Sequence, residues 1–153
     1  MLPDHCFQLA QELRCKQPHL LLRSGEYGND PMQYNQNLLL QAQLYLMAGE
    51  RDYLKENSFY RTFTWAPNVT FFPEEKVTCV KDTQFVVYVY GMSYEHSQIR
   101  QPLYDGVRPV KNDGVHILIA HGGDESHCPL NTAALTGAGF DYIALGHFHT
   151  PRT

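Results

Sequence analysis

The segment Asp141-Tyr142-Ile143-Ala144-Leu145-Gly146-His147-Phe148-His149 places two histidines directly after a short apolar run. Ile143, Ala144 and Leu145 read as a buried strand, Gly146 lets the backbone turn, and His147 and His149 stand at its mouth. In extended backbone, residues two apart point the same way, so both imidazoles can reach one site. Neutral imidazole is the commonest side-chain ligand for transition metals. A second apolar run, Val115 to Ala120, ends in His121-Gly122-Gly123. Two strands that each deliver a histidine at the C-terminal end describe a metal site at the rim of an α/β sheet. A lone histidine after a strand is more often a surface or capped residue. The Gly-His-x-His grouping, and a spacing between the two runs that suits a βαβ unit, weigh against that bland reading.

The elements that must position these residues follow from periodicity and punctuation. Asp4 caps a helix over residues 5–16, which Pro18 stops, and His19 to Arg23 is a buried strand. A loop with Gly25 and Gly28 leads to Asp30-Pro31, an N-cap followed by proline at the first helical position. The helix it opens runs to about Gln43. Leu44 to Ala48 is the next strand, closed by Gly49, and this β-α-β alternation implies parallel pairing. Phe59, Tyr60, Phe63 and Trp65 read as core rather than as a stacking platform for bases. Short β-type runs at Val69 to Phe72, Val77 to Val80 and Phe85 to Tyr90 suggest antiparallel hairpins. A loop-rich stretch from Gly91 to Asp113 precedes a closing unit: strand 115–120, a helix near Asn131 to Ala138, and strand 141–145.

Composition narrows the function classes. The 153 residues form one expected domain, large enough for a real core. Twelve Lys and Arg against sixteen Asp and Glu give a net charge of −4, so the basic footprint of a nucleic-acid binder is missing. A nucleic-acid substrate held by metal ions is still compatible with that charge. Cys6, Cys15, Cys79 and Cys128 show no CxxC spacing and read as free thiols. No signal peptide or membrane-length apolar run is visible, which makes a cytoplasmic protein without a membrane the expectation.

The order of these motifs resembles the calcineurin-like metallophosphoesterases, in the branch that holds SbcD-type DNA-repair exonucleases. The family pattern is Asp-x-His, Gly-Asp-x-x-Asp, Gly-Asn-His-Asp, a histidine after a strand, and Gly-His-x-His, each at a strand end. The resemblance runs from about residue 5 to the end. His121 matches the strand-end histidine, and His147 and His149 match Gly-His-x-His. Gly49-Glu50-Arg51-Asp52 stands in the place of Gly-Asn-His-Asp, and Gly25-Glu26 in the place of Gly-Asp. Asp-x-His has no counterpart; Asp4-His5 has the wrong spacing. The family's C-terminal continuation is likewise not in the chain.

The resemblance implies a two-sheet α/β/β/α sandwich with mixed sheets. It implies a centre for one or two divalent ions (manganese, iron or zinc) with Glu26, Glu50, His121, His147 and His149 as ligands. It also implies hydrolysis of phosphate esters or phosphodiesters, with nucleic acid as a candidate substrate and an SbcC-like ATPase as a candidate partner. Arg51 and His121 take the catalytic positions. Arg51 cannot donate a proton near neutral pH, but its fork can pair with phosphate oxygens. With Asp-x-His missing, impaired turnover is expected. The alternative is a non-catalytic, degenerate domain retained for metal binding or partner contact.

Overall fold

The computed structural model describes residues 20–22, 43–82, 86–111 and 113–148. Within them the chain is built mostly of strands: β1 (Leu20–Leu22), β2 (Gln43–Leu46), β3 (Val69–Phe71), β4 (Thr78–Asp82), β5 (Val87–Gly91), β6 (Val115–His121) and β7 (Tyr142–Gly146). Two short helices, α1 (Phe59–Thr62) and α2 (Thr132–Thr136), complete the described elements. One sheet has the order β1-β2-β3, all parallel; the other has the order β4-β5-β6-β7. In the second sheet β4 pairs antiparallel with β5, while β5, β6 and β7 run parallel. Within each sheet every strand pairs with its successor in the chain, a solenoid-like succession.

The expected α/β/β/α sandwich does not form. Its flanking layers require helices, and the described helices span only four and five residues. The reason is visible on the outer face of β5 and β6. There the chain after β5 lays Tyr94, Ile99 and Tyr104 over Leu118 and Ala120, doing with turns what a helix layer was expected to do. Pro102, Gly106 and Pro109 break that stretch into turns, such as the one closed by Asp105 N–H donating to the Pro102 carbonyl. The expected helices at 5–16 and from Asp30 onward lie outside the described residues, as do Glu26, His149, Cys6 and Cys15.

β6 is buried along its whole length after Val115, as expected for a strand covered on both faces. Ile117 and Ile119 face one way, with Val87 and Val89, onto Tyr45, Met47 and Phe72 from the first sheet. Leu118 and Ala120 face the other way, into the aromatic cover. The period of two along a strand thus divides the core into two layers. Gly91 sits at a close approach between the sheets: a Cβ there would lie 2.8 Å from the Phe72 ring and 2.9 Å from Ile119.

Two further expectations need correction. The run at 69–72 does not form a hairpin with the run at 77–80; β3 instead pairs parallel with β2. Among the described residues only β4 and β5 make the expected antiparallel pair. Phe59, Tyr60, Phe63 and Trp65 are not core either, and Phe59 is 42% exposed. They stack on one another and on Phe71, with Tyr60 and Trp65 at 5.1 and 5.5 Å from its ring centroid. A one-turn helix cannot carry four large rings to one buried face, so they shield each other at the surface.

The close approach at Gly91 makes a direct prediction. Gly91→Ala should lower unfolding free energy by about 1–3 kcal/mol, the usual cost of overpacking a filled core. Urea denaturation measures it, and a loss under about 0.5 kcal/mol would show that the sheets part easily at this point.

Candidate metal centre

Three strand ends meet at one rim. β6 and β7 are parallel with His121 opposite Gly146, so His147 emerges one residue beyond the level of His121. The third contribution follows β2. Past Leu46 the backbone is stitched to the continuation of β5: Ala48 N–H donates to Ser93 Oγ at 2.9 Å, and Tyr94 N–H donates to the Ala48 carbonyl at 3.0 Å. Phe72 N–H donates to the Leu46 carbonyl from the other side. Asp52 then closes a turn by accepting from Gly49 N–H at 2.7 Å, and Tyr60 donates its hydroxyl to the same carboxylate. Burial raises the Asp52 carboxyl despite these two donors. The turn between Gly49 and Asp52 points Glu50 into the rim.

Glu50 is the centre of the arrangement. Its Oε2 contacts His121 Nε2, and its Oε1 lies 3.2 Å from His147 Nδ1. The His121 and His147 ring centroids are 5.3 Å apart. The Glu50 side chain is 9% exposed, that of His147 12% and that of His121 1%. Burial by itself would raise the Glu50 carboxyl, but the two imidazoles facing it hold it below its ordinary value. Glu50 therefore stays ionised near neutral pH. His121 is locked through its backbone: its N–H donates to the Tyr104 hydroxyl at 3.3 Å, and its carbonyl accepts from the Tyr94 hydroxyl at 2.8 Å. Burial pushes both phenols upward, so each keeps its proton.

One ligand atom from each of Glu50, His121 and His147 falls within 4.8 Å of the others, close enough to hold a metal ion. A carboxylate with two imidazoles suits zinc or manganese, and three protein ligands leave a coordination position open. The rim thus brings together Glu50, His121 and His147. Arg51 stands beside them, with Nε 3.8 Å from Glu50 Oε1 and its side chain 72% exposed.

Two residues escaped the sequence reading. Asp124 and His127, in the loop after β6, are not among the ligands that the resemblance implies. Asp124 caps this loop, accepting from Ser126 N–H at 2.8 Å and His127 N–H at 2.9 Å. It also reaches His127 Nδ1 and His147 Nε2, and with those two histidines forms a second group able to hold an ion. Burial would raise its carboxyl, but hydrogen bonds from both rings and from Ser126 N–H hold it well below the usual range. The Asp-x-x-His spacing just beyond His121-Gly-Gly was the signal that could have found them. His116 is buried and stacked on Tyr88, with centroids 4.9 Å apart.

Positive-φ backbone recurs at this rim. His147 has φ +98°, and Gly122 and Gly123 have φ +132° and +125°. Non-glycine residues at such angles persist only where the surroundings hold them, and they gather at functional sites. Gly122 folds the chain so that Gly123 N–H donates to the His127 carbonyl at 2.8 Å. A Cβ at Gly122 would run into that carbonyl oxygen and lie 2.8 Å from the Tyr94 hydroxyl.

Comparison with protein-family models, with curated proteins and with solved structures returned no match. No helix among the described residues is long and apolar enough to cross a membrane.

Gly122→Ala should cost more than about 1 kcal/mol and weaken zinc binding, because strain and collision both fall on the loop behind His121. Gly106→Ala is the control, since a Cβ there meets nothing within 4 Å. Chemical denaturation of both variants should separate them clearly; equal stabilities would remove the case for a required left-handed turn.

Proposed function

We propose that this chain is a metal-dependent phosphoesterase of the calcineurin-like class, acting slowly on phosphate esters or phosphodiesters. The observation that carries the reading is the meeting of Glu50, His121 and His147 from three strand ends. They come together in the motif order that such enzymes use. A divalent ion held by these residues would supply Lewis acidity toward phosphate oxygens and make water acidic enough to attack near neutral pH.

The chain's own groups do the rest. Glu50 contributes a fixed negative charge, kept ionised by the rings that face it. The His121 backbone is held by the Tyr94 and Tyr104 hydroxyls. Arg51, at the solvent side of Glu50, offers a planar fork to the non-bridging oxygens of an incoming phosphate. A guanidinium binds the anion but cannot protonate a leaving group. Arg51 stands where the family pattern has a histidine, which is why the proposed turnover is slow.

Hydrolysis of bis(p-nitrophenyl) phosphate with added manganese tests the reading. The expected rate lies below the ~1–10³ s⁻¹ of ordinary enzymes, and His147→Ala should reduce it at least about tenfold. Ion binding without any hydrolysis would favour the non-catalytic alternative. Neither binding nor hydrolysis would remove the proposal.

Arg51 makes a separate prediction. Arg51→Ala should weaken inhibition by inorganic phosphate by about tenfold, the scale of one charge-assisted hydrogen-bonding pair, or about 1.4 kcal/mol. Unchanged inhibition would mean that the guanidinium does not meet the anion.

A further inference from the structure

The geometry points to a second, outer divalent-cation position formed by Asp124, His127 and His147, which shares His147 with the inner group and is occupied as its alternative. Asp124 Oδ2 lies 2.8 Å from His127 Nδ1 and 2.7 Å from His147 Nε2. One carboxylate oxygen thus faces two ring nitrogens brought by separate segments, the loop after β6 and the end of β7. The two rings are close, with centroids 4.9 Å apart. Donors around a four-coordinate zinc at ~2.0–2.1 Å stand roughly 3.3 Å from each other, so small outward shifts of the three groups would admit an ion.

The position is built in advance and open to solvent. Asp124 is fixed by the Ser126 and His127 N–H groups, and the loop is tied to its surroundings by Cys128 N–H donating to the Ile99 carbonyl at 2.6 Å. Side-chain exposure falls from 41% at Asp124 and 25% at His127 to 12% at His147, 9% at Glu50 and 1% at His121. The outer group therefore lies on the solvent side of the inner one.

His147 couples the two. Its Nδ1 faces Glu50 and its Nε2 faces Asp124. A neutral imidazole has one lone pair for a metal and one N–H. When Nδ1 binds an inner ion, Nε2–H donates to Asp124. When Nε2 binds an outer ion, Nδ1–H donates to Glu50. In either state the carboxylate not engaged with the ion orients the ring, as such carboxylates do behind metal-bound histidines. No ring flip is needed; the proton changes nitrogen. The two positions consequently exclude each other at His147, and the chain holds one ion there at a time.

This inference uses the rim described for the phosphoesterase reading but does not require activity. The test is zinc titration followed by long-range ¹H–¹⁵N NMR of the imidazole nitrogens. In Glu50→Gln, zinc should still bind at one ion per chain and shift His127 Nδ1 and His147 Nε2. Adding His127→Ala to that variant should then weaken binding at least about tenfold. Glu50→Asp serves as a second inner-site variant should the amide disturb the fold. Loss of zinc binding in the folded inner-site variants, or binding that leaves His127 unmoved, overturns the outer position while leaving the inner group intact. A wild-type spectrum in which His127 responds and His121 does not would support the outer position and count against the phosphoesterase reading.

Discussion

A carboxylate nine-tenths removed from water must find donors or give up its charge, and Glu50 is such a carboxylate. Its two oxygens face His121 and His147, which come from neighbouring parallel strands. The ionised state of Glu50, the orientation of both rings and the closure of the rim all depend on that one arrangement. Removing a partner would leave a buried charge uncompensated, at a typical cost of about 3–5 kcal/mol. The surrounding structure is arranged to hold it: β6 is locked between two apolar layers, and Tyr94 and Tyr104 fix the backbone of His121 from behind.

The positioning is a property of backbone more than of side-chain choice. β2 and its continuation are stitched to the chain after β5 through Ala48, Ser93 and Tyr94, so the Glu50 turn cannot drift relative to His121. Gly122 and Gly123 then reverse the chain within two residues. That reversal brings Asp124 and His127 back beside His147. A stiff buried strand followed by a tight left-handed turn supplies both a deep ligand and a shallow pair of them from one short stretch of sequence.

The strand ends were legible in the sequence because an apolar run with a polar terminus has one physical reading. Val115 to Ala120 reads as a strand, so His121 must stand at its C-terminal end. Glu50 could be placed because Gly49 closed the preceding strand. What could not be read was the covering layer. Tyr94, Ile99 and Tyr104 lie in a stretch broken by prolines and glycines, and no periodicity announces that such a loop will replace helices over a sheet. The aromatics near α1 failed for a related reason: hydrophobicity reports a preference for burial, while mutual stacking satisfies part of it at the surface. Asp124 caps its own loop, but its contacts with the two imidazoles depend on how far the chain turns back at Gly122, which is tertiary information.

The central claim is that Glu50, His121 and His147 form a coordination sphere. Anomalous diffraction from crystals grown with zinc tests it most directly. The account predicts a peak at roughly 2.0–2.2 Å from Glu50 Oε2, His121 Nε2 and His147 Nδ1, the range of zinc bonds to oxygen and nitrogen. Strong zinc peaks elsewhere on the molecule, with this rim left to hydrogen bonds between Glu50 and the two imidazoles, would contradict it.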